Sequence, residues 1–359
     1  MTVRGVPMAR EKFCVGIDIG ASGVKLCQLK RKKDEFILEH YGHVALPPAT
    51  IVDGAMMNPA RIVDAIKELV STHRIRNKRV AFSVSGHSVI IKKISLPQMT
   101  RQELEQSIQW EAEQFIPFDI ADVNIDVQVL NEHSGQQGQM DVVLVAAKKD
   151  FIDEYTSVVT DAGLEPVVCD VDAFAIENMF LQNYEAPPSQ TIALVNVGAS
   201  KTNINIMSNG LSSFTRDLNV GGNNFSEEIQ KQLGVTREEA EALKFGGTHG
   251  TGSDAVVPEE VQRSLQAVSD NVATELQRSL DFFTATSAEP EPSHIYLMGG
   301  SSKLNVLEQT IKTRLGVNVT VADPFRRINT GSHDAKYISD QAATAGVVMG
   351  LALRFPGDN

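Results

Sequence analysis

Cysteine is scarce in this chain. Cys14, Cys27 and Cys169 are its full complement, and no two form a CxxC pair. That excludes a zinc ribbon and a disulfide framework, and it fits a reducing compartment. Uncharged apolar runs are also short, none approaching the roughly 18 residues that span a bilayer. The opening MTVRGVPMAREKF lacks the apolar core of about 7–15 residues that marks a signal peptide, so the expected setting is cytoplasmic. Basic residues are outnumbered, with 33 Lys and Arg against 45 Asp and Glu. Nonspecific binding to nucleic acid or anionic lipid therefore has no electrostatic driver. The eight histidines form no HExxH or similar ligand spacing, and no GxSxG, GxxxxGK[ST] or kinase HRD signature occurs. The sole tryptophan, Trp110, falls in a helical stretch and is expected in a core. What is present is a globular composition, 42% hydrophobic and 22% charged over 359 residues, enough for about two to three domains.

The organisation lies in a repeat. Residues 13–29, FCVGIDIGASGVKLCQL, alternate apolar and other residues, break at a small-residue turn and resume alternation. This predicts a hairpin, and residues 36–45 supply a third strand. The same grammar returns at 192–207, IALVNVGASKTNINIM, with an identical Gly-Ala-Ser turn 178 residues later. Half a chain is too long for a solenoid period, so an internal duplication is expected: two similar domains facing across a cleft. Between the copies, Thr100 and Glu103 form a capping box opening a helix over 101–115. Strands at 123–130 and 140–147 flank a Gly/Gln-rich turn, and a helix at 151–162 and a strand at 165–171 follow. Residues 91–168 therefore read as a small α+β insert. Helices are expected at 59–70, 223–233, 236–243 and 261–283, and one small-faced helix over 337–353. A glycine-rich loop at 246–254 has the weakest order, and the KRKK run at 30–33 reads as a solvated turn.

Four glycine turns carry the chemistry. The first, Asp18-Ile-Gly20-Ala21-Ser22-Gly23-Val-Lys25, ends a buried strand with residues small enough to bring several backbone N–H groups to one point. That suits phosphate oxygens, with Ser22 and Lys25 as further donors. Asp18 is placed to hold Mg²⁺ through water. The second turn is Gly198-Ala199-Ser200. The third, Gly221-Gly222, precedes a helix whose N-terminal amides favour anions. The fourth, Gly299-Gly300-Ser301, lies between a strand and a helix.

In this order the turns resemble those of the actin/sugar-kinase/Hsp70 ATPase superfamily, over essentially the whole chain. The resemblance implies an α/β, actin-like ATPase fold of two duplicated, RNase H-like domains around a nucleotide cleft. The insert resembles the 1C subdomain of the cell-division actin FtsA. It is closer still to the PilM family of type IV pilus assembly proteins, on VGIDIGASGVKL, ISLPQMTRQELEQSIQWEAEQFIPFDI, EPVVCDVDAFAIEN and YLMGGSSKL. The closing RFPGDN lacks the amphipathic helix expected of FtsA. The implied boundaries are 13–90 with 168–188 and 336–353 for the first domain, 91–167 for the insert, 189–222 with 290–335 for the second domain, and 223–289 for its outer subdomain.

The resemblance also implies site roles. Gly20, Ala21, Ser22, Gly23 and Lys25 correspond to the first phosphate loop, and Gly198, Ala199, Ser200 and Thr202 to the second. Gly221, Gly222 and Asn223 correspond to the ribose edge, Glu241 and Lys244 to the pair beside adenine, and Gly299, Gly300 and Ser301 to the adenosine loop. Asp170 or Asp172 falls where the attacking water is oriented, with spacing favouring Asp170 as the catalytic partner of Asp18. Asn196 stands where many of these ATPases have a metal-positioning aspartate. It brings no charge and would act on Mg²⁺ only through water, so ATP binding with slow or negligible turnover is expected. The implied partners are the N-terminal cytoplasmic tail of the membrane protein PilN and other pilus inner-membrane and motor components. The tail would lodge between the first domain and the insert, bordered by residues 82–96 and 151–171, and no nucleic acid is expected. The implied location is the cytoplasmic face of the inner membrane, with twitching motility as the process served. A small-molecule kinase is the alternative from another class, although no sugar-binding pattern accompanies the aspartates. A polymerising bacterial actin is the third reading.

Overall fold

The computed structural model describes residues 13–132, 138–185, 190–246 and 259–357. The alternating run at the start becomes β1 (Val15–Gly20), paired antiparallel with β2 (Gly23–Lys32) across a two-residue turn that sets Asp18 opposite Lys25. β2 continues into β3 (Glu35–Ala45). A two-rung hairpin, β4 (Ile51–Val52) and β5 (Ala55–Met56), leads into α1 (Pro59–Thr72), where Asn58 caps and Pro59 occupies the first turn. β6 (Arg79–Val84) lies parallel to β1, and β10 (Glu165–Val171) lies parallel to β6.

The second sheet repeats the plan. β11 (Thr191–Val197), β12 (Thr202–Ser208) and β13 (Leu211–Leu218) run antiparallel, and β14 (His294–Met298) and β15 (Asn318–Val321) extend β11 in parallel. The turn-level repeat in the sequence is thus a repeat of whole sheets. One short strand crosses the expected boundary: β16 (Ile328–Asn329) pairs with β3 and closes the edge of the first sheet.

Each sheet is buried by helices. α1 and α3 (Lys149–Asp161) cover one face of the first sheet, where Ile62, Ile66, Tyr155, Val158 and Val159 share a core with β1 and β6. The other face meets α4 (Asp172–Asn183) and α10 (Gly346–Ala352). Glycine makes that layer thin: a Cβ on Gly350 would stand 1.7 Å from the Ala175 carbonyl oxygen, and one on Gly16 2.6 Å from that of Val348. The single helix expected over 337–353 is broken into α9 (Ala335–Ala342) and α10. The Ala343 carbonyl at the break accepts from Gly299 N–H at 2.7 Å, which takes it out of a helical ladder.

The insert is smaller than the sequence suggested. β7 (Val89–Pro97), β9 (Gln139–Lys148) and β8 (Val123–Asn131) form an antiparallel sheet in that order. It is roofed by α2 (Arg101–Glu113), whose Thr100–Glu103 capping box is formed. Leu104, Ile108 and Ala112 close its separate core. α3 and β10, expected in the insert, belong to the first domain, because their apolar faces pack there. Trp110 is not in a core: it stands opposite the Leu104–Ile108–Ala112 stripe, 77% exposed. Most of the Gly/Gln turn and of the 246–254 loop lies outside the described residues.

The remaining helices are α5 (Gly222–Leu233), α6 (Arg237–Lys244), α7 (Glu259–Thr286) and α8 (Asn305–Leu315). α7 and α8 cover the second sheet. Among the described residues no helix is long and apolar enough to cross a membrane.

The tight α4–α10 crossing makes Gly350→Ala disruptive. It should cost about 3 kcal/mol or more in urea unfolding, because the clashing atom is backbone. Gly300→Ala, whose Cβ would meet only Thr344 Cγ2 at 3.8 Å, is the control and should cost far less.

Candidate functional site

Both turns of the repeat stand at strand ends above a polar floor. In the first, Lys25 Nζ is paired to Asp18 Oδ2 at 2.8 Å, and both side chains are largely buried. Gly23 is obligatory, since a Cβ there would meet His43 Nε2 at 2.3 Å and the Val44 carbonyl at 2.6 Å. Ser22 is exposed at the tip. Among the described residues, the backbone N–H groups of Ala21, Ser22, Ala199 and Ser200 donate to no protein acceptor. These are the groups a polyphosphate would take up.

The other glycine turns are used differently. Gly222 N–H donates to the Gly198 carbonyl at 2.8 Å and Asn223 N–H to that of Ala199 at 2.7 Å, while Gly221 N–H donates to Asn224 Oδ1 at 2.8 Å. The α5 N-terminus is therefore satisfied by the second turn itself, and these three amides are not free for an anion. Gly299 lies on β11, where a Cβ would be 2.3 Å from the Val197 carbonyl oxygen. Ser301 is buried beneath Gly222. Gly221, Gly222, Gly299 and Ser301 thus fix the second turn from behind, and only Gly300 of the last turn is partly open.

Four expected ligands, Thr202, Asn223, Glu241 and Lys244, are committed to the protein. Thr202 is fully buried and its hydroxyl donates to the Val220 carbonyl at 2.7 Å. Lys244 is buried and donates to Gly222 O and Ser226 Oγ, both at 3.0 Å, besides its 2.9 Å ion pair with Glu241. Burial draws its ammonium below the usual lysine range, against the pull of Glu241. The Glu241–Lys244 pair therefore locks α6 onto the start of α5. Asn223 Oδ1 accepts from Arg237.

The aspartate preference reverses. Asp170 is buried, accepts from Val171 N–H at 2.8 Å and pairs with Arg354 at 3.5 Å, tying β10 to the chain beyond α10. Asp172 is the one turned to the cleft, because the strand gives way to helix α4 at that residue. Its carboxylate accepts from Ser83 Oγ at 2.6 Å. Burial, then the Asp18 charge, pushes it up to about 6, against hydrogen bonds from Ser83 and Ser85 and with a further push from Asp217.

Asp217, which sequence reasoning missed, joins the halves. Its two oxygens accept from Gly86 N–H in the first domain at 2.6 Å and from Asn203 Nδ2 at 2.8 Å. Asn203 Oδ1 accepts in turn from Asn196 Nδ2 at 3.1 Å. Hydrogen bonds thus link Asp217 to Asn196, and Asp172 lies near enough to Asp18 and Asp217 to feel both charges. The carboxylates of this floor are crowded and short of positive charge, which fits a divalent cation. Among the described residues no three or more His, Cys, Asp or Glu are grouped to ligate a metal. A Mg²⁺ here would be held through water, by Asp18 and Asp172. Alternation along β12 and β13 could have flagged Asp217, since Asn203 and Asp217 share a rung.

Beside this floor opens a cavity of about 310 Å³, lined by Val84–Gly86, Val89–Lys92, Asp172 and Arg216–Asp217 among others. A larger groove of about 620 Å³ lies between α2 and β8 within the insert.

The family described as type IV pilus assembly protein PilM matches residues 16–355. A solved PilM–PilN type IV pilus biogenesis complex is similar at TM-score 0.83 and 28% identity, covering 96% of this chain and 99% of that one. MreB5 of Spiroplasma citri bound to ADP (TM-score 0.52, 13% identity, 94% of each chain) shares the fold. So does EutJ of Carboxydothermus hydrogenoformans, at TM-score 0.56 and 15% identity over 98% of this chain and 92% of that one. The cell division protein FtsA of Streptococcus pneumoniae is 24% identical over 263 residues, 66% of this chain. The match spans 56% of that relative's length.

Asp172 yields a pH test. A carboxyl raised in the folded state takes up a proton on folding, so it weakens the fold as pH climbs from about 4 through 6. Asp172→Asn keeps an acceptor for Ser83 and removes the charge. It should stabilise the protein at pH 7.5 by about 1–2 kcal/mol, the two-unit shift discounted for cleft water, and by nothing near pH 4. Urea midpoints at both pH values measure this, and an equal gap at both would refute the assignment.

Proposed function

The chain belongs to the PilM family of type IV pilus assembly proteins, and from that membership and its cleft we propose a nucleotide-binding assembly adaptor. ATP with Mg²⁺ is the proposed cofactor. The free amides of the two Gly-Ala-Ser turns would hold its phosphates, and Asp18 with Asp172 would hold the metal through water. The observation that carries this reading is the pair of Gly-Ala-Ser turns with free amides, with Asp18 at the strand end under one and Asn196 under the other.

Turnover is inferred to be slow or negligible. Asn196 contributes no charge, and its amide nitrogen is engaged by Asn203. A unit charge acting at about 4 Å in a medium of effective dielectric ~20 is worth about 4 kcal/mol, less through water. Asp172 rather than Asp170 would orient a water in this reading. The small-molecule kinase alternative is not favoured, since the family match runs from the first sheet to beyond α10.

The partner proposed is the N-terminal cytoplasmic tail of a PilN protein, PilN being the protein named in complex with the solved relative. Through it the protein would sit at the cytoplasmic face of the inner membrane. The 310 Å³ cavity suits an extended tail: Val84, Val89 and Ile91 give an apolar floor and Lys92 and Arg216 a basic rim. It matches the expected 82–96 border, while of 151–171 only Val171 reaches it.

Calorimetry tests the cofactor. Asp18→Ala should weaken Mg²⁺-ATP binding by about tenfold and show little effect in EDTA, whereas an affinity loss that ignores the metal would refute the metal role. Fluorescence anisotropy with labelled synthetic tail peptide tests the partner. Ile91→Asp should weaken binding at least tenfold, and Gln109→Ala in the other groove should not. Unchanged binding by Ile91→Asp would move the docking site.

A further inference from the structure

β12 presents alternate side chains to the first domain, and they form a ladder. Asn205 Nδ2 donates to the Ala173 carbonyl at 3.0 Å, and Asn203 donates to Asp217, which accepts from Gly86 N–H. The next position along, at the cleft end, is Lys201, beside the second turn. Its ammonium crosses to the first domain and rests between two glycines of positive φ. A Cβ on Gly86 would lie 2.0 Å from Lys201 Nζ, and one on Gly54 3.4 Å away. Gly86 leaves the space that the ammonium fills, while Gly54 only borders it at ordinary contact distance.

Lys201 differs from its neighbours in having no side-chain partner. Lys25 is held by Asp18, Lys244 by Glu241 and Gly222, and Lys303 donates to the Asp340 carbonyl. Among the described residues the Lys201 ammonium makes no hydrogen bond or ion pair, although the acidic floor lies close by; only the residue's backbone carbonyl is used, accepting from Gly198 N–H at 2.9 Å. An uncommitted cation on a flexible stem, beside free amides, has the chemistry of a phosphate ligand. The duplication sharpens the point. Lys201 occupies the place after Gly-Ala-Ser that Gly23 fills in the first copy, where a side chain would strike His43.

We propose that Lys201 is a phosphate-contacting residue that leaves Gly86 to bind the terminal phosphate of a nucleoside triphosphate. It thereby distinguishes triphosphate from diphosphate. This inference rests on the nucleotide reading above. Because Gly86 also lines the cavity beside β7, the same movement withdraws a contact between the second domain and that wall.

Titration calorimetry of the full chain with ATP, ADP and AMP, each with Mg²⁺, tests the proposal on the parent, Lys201→Gln and Lys201→Arg. Lys201→Gln should weaken ATP about tenfold and ADP by less than threefold, leave AMP unchanged, and keep the nucleotide-free melting temperature. Lys201→Arg should recover most of the ATP affinity. If the parent binds ATP and Lys201→Gln binds it equally well, or loses ATP and ADP alike, the proposal is overturned. If the parent binds no nucleotide, the reading beneath it fails first.

Discussion

Backbone-to-backbone contact between glycine turns is the constraint on which the site depends. The Gly198 and Ala199 carbonyls accept the N–H groups of Gly222 and Asn223, and Gly299 is pressed onto Val197, so three separate chain segments meet with no side chain between them. A Cβ on Gly221 would stand 2.8 Å from both carbonyl oxygens. Each such hydrogen bond is worth only about 1 kcal/mol net, but an unmade one in so buried a place costs more. The second turn is therefore rigid before any ligand arrives, and its amides are preorganised rather than recruited.

This rigidity has an electrostatic counterpart. Asp217 spans the gap between the sheets with one oxygen on each side, and Asp172 lies within reach of both Asp18 and Asp217. Burying Asp172, and then setting it beside the Asp18 charge, raises its pKa and weakens the fold at neutral pH. Sites that concentrate like charge at such a cost are candidates for binding something of the opposite sign. Lys25 offsets Asp18, and among the described residues Asp172 and Asp217 have no ion-pair partner.

Sequence legibility followed locality. The hairpins, the α2 capping box and the repeated Gly-Ala-Ser turn were readable because short-range spacing determines them, and the family resemblance followed from their order. Tertiary competition decided the rest. The α9–α10 break arises because Gly299 takes the Ala343 carbonyl, a contact spanning 44 residues. The i, i+4 stripe of α2 places Trp110 outside, although a large aromatic ring on a helix is expected inside. Spacing points to Asp170, but the choice depends on which residue Arg354 captures, and that is Asp170.

The same logic separates holding a nucleotide from cleaving it. Binding needs amides and a cation-friendly floor, both supplied by backbone geometry that the duplication provides twice. Cleavage needs a fixed charge at the second strand end as well, and there the chain places an amide tied into a hydrogen-bonded row with Asn203 and Asp217. A carboxylate at position 196 would stand among Asp172 and Asp217 without a cation of its own, adding repulsion to a floor already short of positive charge. The amide instead donates into that row and helps hold the two halves together. On the proposed nucleotide reading, Asn196 would favour a cleft that keeps its geometry around the bound nucleotide, as the proposed adaptor role requires.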